Sequence, residues 1–106
     1  MAVIHLIKKT GNGLSPLKTV PGQPNTYVSG YWSLSEKTAQ SLVDGQIYFH
    51  ERQDDPSFYG GKVISFEQIT EGEYRNKIVF KFLFTPESRG IRTTKDGWSQ
   101  EMKLIP

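Results

Sequence analysis

No cysteine occurs in the 106 residues, which excludes disulfides, thiolate metal sites and a thiol nucleophile. Histidine is nearly as scarce: His5 and His50 are the only two. Two imidazoles without thiolates make a poor transition-metal sphere, so neither a metal nor a cofactor is expected. No apolar run approaches the ~20 residues of a membrane span. The short apolar start precedes Lys8 and Lys9 instead of following a positive charge, which is not the order of a signal peptide. The expectation is a cytoplasmic chain without membrane contact. Gly11-Asn12-Gly13 lacks the further glycine and the following helix of a phosphate loop, and no nucleophile elbow is present. Asp96, with Glu101-Met102-Lys103, has an acid, acid-x-Lys order of the kind used by metal-dependent nucleases, but at short spacing. No catalytic constellation is complete.

What the chain does have is aromatic side chains, 12% of the residues, against a modest 36% apolar content. Large rings bury much area each, and a chain of this length buries roughly two-thirds of its unfolded surface. One domain over residues 1–106 is expected. The net charge of +2 is unevenly spread: residues 1–35 carry +3 with no acid, 36–75 carry −4, and 76–106 carry +3. If the two ends lie together they form a basic face suited to a polyanion, though solvated surface lysines give the same count.

The pattern is organised around Gly45–Ile69. Gln46–Glu51 and Lys62–Ile69 are rich in β-branched and aromatic residues and read as paired strands. The polar loop between them carries Pro56 and Gly60-Gly61, read as turn residues. Before this hairpin, Ala2–Lys8 reads as a strand, and Thr10–Asn25 holds too many glycines and prolines for a regular element. Thr26–Trp32 returns to strand character with a bulge at Ser29-Gly30. Ser33-Leu34-Ser35-Glu36 reads as a capping box that opens a helix over Leu34–Val43, with Gly45 as its stop. After the hairpin, Lys77–Phe84 alternates, placing Ile78, Phe80, Phe82 and Phe84 on one face. Glu87–Gly97 is irregular, and Gln100–Ile105 is a last short strand. Six strands and one helix give a mainly β, α+β domain, a small and partly closed mixed β-barrel.

Tyr31-Trp32-Ser33-x-Ser35 leading into a helix, then Gly45-x-Ile47-Tyr48-Phe49-His50, a polar loop and Gly61-x-Val63, resembles the PUA-like superfamily in its EVE and ASCH branches. The resemblance covers about Tyr27 to Phe84. It implies a small mixed barrel that binds RNA or modified nucleobases in a cleft between strands and helix. In some ASCH relatives it also implies hydrolase or nuclease activity through a Lys, a Thr and a Glu, a trio that cannot be placed here. The loops Thr10–Asn25 and Glu87–Gly97 depart from the pattern.

The functional expectation is therefore a non-catalytic nucleic-acid-binding module. Tyr31, Trp32 and Trp98 are candidates for base stacking, although one of the adjacent pair Tyr31 and Trp32 belongs to the core. His50, Ser33, Arg52, Gln53, Ser57, Tyr59 and Lys62 carry groups that read base edges or hold phosphate. Lys8, Lys9, Arg89, Arg92 and Lys95 are candidates for phosphate contact. These side chains are expected to share one concave mouth. Two alternatives stay open: a protein-interaction domain using Trp98, Phe58 and Tyr59, and a small ASCH-type hydrolase or nuclease dependent on His50 and Lys62.

Overall fold

The computed structural model describes residues 2–7, 18–99 and 102–105. In chain order the elements are β1 (Val3–Ile7), β2 (Lys18–Val20), β3 (Gln23–Val28), α1 (Glu36–Leu42), β4 (Gln46–His50), β5 (Tyr59–Gln68), β6 (Ile78–Phe84), a 3-10 turn (Pro86–Ser88), β7 (Trp98–Ser99) and β8 (Met102–Ile105). The strands form one mixed sheet in the order β2-β3-β6-β5-β4-β1-β8-β7. Among the described strands only β1 and β4 run parallel, with His5 opposite Tyr48. Every other pairing is antiparallel.

The domain is thus mainly β with a single described helix, as the sequence suggests, but the sheet does not close. Its two edge strands are only three and two residues long. Short edges limit the exposed ladder without requiring closure. Among the described residues no helix is long and apolar enough to cross a membrane.

The core lies on one face of the sheet. Ile4 and Leu6 of β1, Ile47 and Phe49 of β4, Val63 of β5, and Ile78, Phe80 and Phe82 of β6 are all fully buried, with Ala39 and Leu42 of α1 packed on them. Alternate residues of a strand share a face, so the Lys77–Phe84 pattern translates directly into this arrangement. Phe84, at the end of the row, is half-buried.

Three local expectations need correction. The helix is capped by Ser35, whose hydroxyl accepts from the Thr38 amide at 3.1 Å, and not by Ser33. The hydroxyl of Ser33 accepts instead from Lys77 Nζ, which leaves the later serine to cap. Gly60 and Gly61 lie inside β5, so the loop is residues 51–58. At Gly61 a Cβ would stand 1.9 Å from the Leu83 carbonyl oxygen; this glycine lets two strands approach and does not turn the chain. Finally, part of Thr10–Asn25 is a hairpin: Val20 pairs with Gln23 across Pro21-Gly22. Gly22 has φ +76, as a proline-glycine turn of type II requires.

Candidate functional site

Beyond β3 the chain bulges at Gly30-Tyr31, one residue later than the expected Ser29-Gly30. The Ser29 amide donates to Phe80 O at 2.8 Å, and Trp32 exchanges backbone bonds with Ile78 at 2.9 and 2.8 Å. Gly30 and Tyr31 therefore stand opposite the single residue Val79, and such a two-to-one mismatch redirects side chains. The Ser29 hydroxyl stabilises the kink by accepting from the Phe80 amide at 2.9 Å.

The bulge decides between the two aromatics. Trp32 turns inward and is only 8% exposed, with its indole N–H buried and without a partner among the described residues. It is a core residue, and no base reaches its ring. Tyr31 turns outward, 46% exposed, and stacks on Tyr74 with ring centroids 3.9 Å apart and planes 4° from parallel. Tyr74, itself 43% exposed, comes from the turn between β5 and β6. That turn is held by Asn76 N to Ile69 O at 2.8 Å and Lys77 N to Tyr74 O at 3.0 Å.

Near this pair lies a recess of about 360 Å³ lined by Ser33, Leu34, Ser35, Arg75, Asn76 and Lys77. It offers two cations, two hydroxyls and an amide close to an aromatic platform. Glu71 and Glu73 of the same turn offset the cations, so the surface suits one or two nucleotides better than a long phosphate track. Tyr74 escaped the sequence reading because a lone tyrosine in a polar loop carries no periodicity. Its partner is fixed only by the β5–β6 register and the bulge.

A second polar cluster occupies the sheet face opposite the core. Tyr48, His5, Lys103 and Trp98 are register partners across β4, β1, β8 and β7 and so point the same way. His5 is 3%, His50 0% and Lys103 7% exposed. His5 Nδ1 and His50 Nε2 are 2.8 Å apart, and His50 Nδ1 lies 2.8 Å from the Asp55 carbonyl oxygen. A carbonyl only accepts, so His50 carries its proton on Nδ1. Its Nε2 must then accept from the Nδ1–H of His5.

Tyr48 stacks on His5 at 5.2 Å, and the Trp98 ring lies 6.2 and 5.8 Å from the two imidazoles. Lys103 Nζ donates to Thr94 O at 2.7 Å and to its hydroxyl at 3.0 Å. Burial, then the neighbouring His50 and Lys103, lower the pKa of His5 to about 4. Burial also lowers that of His50, partly offset by the carbonyl and charge of Asp55. Both rings are neutral at pH 7. His50 is thus no exposed strand-end residue, and it meets no ligand in this conformation.

The remaining candidates do not gather into one mouth. Three strand spacings, about 14 Å in a sheet, separate β6, beside which Tyr31 and Tyr74 sit, from β1, which carries His5. Arg52 is exposed and paired with Asp55 at 3.2 Å, which raises its pKa; Gln53 is half-buried beside it in the chain. Ser57 is buried and fully used, donating to Ser88 O and accepting from Ile91 N at 2.9 Å. Lys62 is exposed, 3.9 Å from Asp44.

Tyr59 is half-buried, stacked on Phe84 at 4.3 Å, with the guanidinium of Arg89 5.5 Å from its ring centre and 5.1 Å from that of Phe84. Burial, then the Tyr27 hydroxyl, raises the pKa of Tyr59. Arg92 is exposed and reaches Asp54 O at 3.4 Å, and Lys95 is exposed. Trp98, Phe58 and Tyr59, the proposed partner-facing patch, are each half-buried. The chain ends do meet, as β1 pairs with β8. Yet Lys103 is buried there, while Lys8, Lys9 and Glu101 lie outside the described residues, and with Glu101 the acid, acid-x-Lys triplet.

Among the described residues no group of three or more His, Asp or Glu side chains is placed to hold a metal ion. Comparison with protein-family models, with curated proteins and with solved structures finds no match for this chain.

Proposed function

We propose that this chain is a non-catalytic nucleic-acid-binding module of PUA-like kind that captures an unstacked base of RNA, or a modified nucleobase, on the Tyr31–Tyr74 platform. The observation that carries the reading is that pair: two tyrosines stacked with parallel rings, both more than two-fifths exposed, beside a recess with Arg75, Lys77 and two serines. Soluble domains ordinarily bury such rings, and stacking on an exposed one is worth about 1–3 kcal/mol per base. Tyr31 covers one face of Tyr74, so a base adds to a stack already formed, without ordering a mobile ring. Arg75 and Lys77 supply the phosphate contact and Asn76 an amide for a base edge. The strand–helix–hairpin order over Tyr27–Phe84 supports the reading, because the resemblance to EVE and ASCH domains rests on that segment.

The test is a fluorescence-anisotropy titration with short single-stranded RNA and DNA, plain and base-modified, at 50 mM and 200 mM salt. Binding is expected to weaken with salt, because neutralised phosphates release counterions. Absence of binding to every oligonucleotide at the lower salt would overturn the proposal.

A further inference from the structure

We propose that the His5–His50 pair is a proton-operated latch: uptake of a proton by either ring frees the segment around Thr94–Trp98 from the sheet and exposes the His5, Lys103 and Trp98 face. The hydrogen-bond order described above leaves no neutral place for another proton. On His50 Nε2 it keeps the 2.8 Å contact only if His5 moves its own hydrogen to Nε2, and the pair becomes cationic whichever ring holds the charge. On His5 Nε2 it would make an imidazolium beside the buried ammonium of Lys103, whose described hydrogen bonds go to uncharged Thr94. Two like charges in a dry site repel strongly.

Of the groups facing the pair only Asp55 relieves this, and only in part. Tyr48 of β4 and Trp98 of β7 present rings, and Lys103 of β8 is itself cationic. Asp55 of the 51–58 loop gives its carbonyl to His50 and its carboxylate to Arg52, while the covering segment carries Arg92, which reaches Asp54 O, and the exposed pair Lys95 and Asp96, whose charges cancel.

The relief lies in the cover. Lys103 is tied to Thr94, so a repelled Lys103 carries that residue with it. The other end of the segment is held by contacts that do not titrate in this range: Ser57 with Ser88, Ile91 and Gly90. The segment therefore hinges at residues 90–91 and peels away together with the edge strand β7, which is held to β8 by only the two-residue pairing of Trp98 with Lys103 and Ser99 with Met102. In the folded chain His5 holds a proton about 300-fold more weakly than a free imidazole, the difference between about 4 and 6.5. Opening thus belongs to mildly acid pH and leaves the latch shut at neutrality.

The experiment follows the histidine ring signals by NMR, with amide protection factors corrected for intrinsic exchange, from pH 7.5 to 4. In the wild-type chain neither histidine should titrate near 6.5. Protection of residues 93–99 should fall at least tenfold by pH 4.5, while β5, β6 and residues 90–91 keep theirs. His5→Phe, which keeps a ring but takes no proton, should abolish that pH dependence, whereas His50→Gln, which leaves His5 beside Lys103, should retain it. Should both variants fail to fold, the wild-type measurements alone decide. Histidines titrating near 6.5, protection lost across the sheet together, or opening that persists in His5→Phe would each overturn the proposal.

Discussion

Replacing Gly61 with alanine puts a methyl group where the backbone of β6 already stands. The added carbon would lie 1.9 Å from Leu83 O, 2.7 Å from its carbonyl carbon and 3.0 Å from Phe84 Cα, whereas ordinary contact begins at 3.4 Å. All three are backbone atoms, so no side chain can swing aside. The strands must part by roughly 1.5 Å, the difference between 3.4 and 1.9, and that lengthens the ladder around Lys62 and Leu83 beyond hydrogen-bonding range. One or two lost bonds at about 1 kcal/mol each, with about 1–3 kcal/mol of overpacking, give about 2–5 kcal/mol. Gly22→Ala is the internal control. Gly22 has φ +76 with nothing within 4 Å of a Cβ, so it forfeits only the left-handed backbone preference, about 1–2 kcal/mol. Urea unfolding of the two variants and the wild type, with similar slopes, measures both. The close-approach argument fails if Gly61→Ala is no more destabilising than Gly22→Ala.

Tyr31→Ala and Tyr74→Ala should each weaken oligonucleotide binding by about 5- to 150-fold, the equivalent of 1–3 kcal/mol, and the double variant by less than the product, because the rings act as one stack; anisotropy titration reads this. Lys77→Ala should lower the salt slope by about one contact with little change in base preference. Folding stability should be full above pH 6.5 and fall as pH drops from 6.5 toward 4, because His5 is neutral when folded and the unfolded chain takes up the proton first. The loss is about 3 kcal/mol for that group, measured by urea unfolding at pH 7.5 and 4.5, and His5→Phe should flatten it. Ser57→Ala leaves the Ile91 amide and the Ser88 carbonyl short of a partner, at about 1–3 kcal/mol; a thermal melt should show Tm lowered by several degrees, with the loss concentrated in amide protection at residues 88–91.

Local chemistry made the strands legible. The alternation of Ile78, Phe80 and Phe82 specifies which side of β6 is buried, because a strand that put those rings in water would forgo its main driving force. The helix was legible to within two residues at its start, since Ser33 and Ser35 are equivalent caps until Lys77 engages one of them. Gly60-Gly61 shows where local rules stop: paired glycines signal either a turn or a close crossing, and the choice depends on β6, which follows later in the chain. The site was half legible. That one of Tyr31 and Trp32 faces outward follows from strand geometry, but which one depends on the bulge. His5 drew no functional reading, because its partners on β4 and β8 are far away in sequence and no short-range pattern announces a parallel pairing.

That arrangement also governs how the chain comes into being. β1 is the first described strand to be synthesised, yet both its neighbours, β4 and β8, follow it, the latter in the last residues described. Until Met102–Ile105 has left the ribosome, one side of β1 offers an unpaired ladder. Such an open edge recruits other chains, and contacts this distant close slowly. Losing the final strand would therefore do more harm than its four residues suggest: it would turn an interior strand into an adhesive border and leave the imidazole pair without its roof.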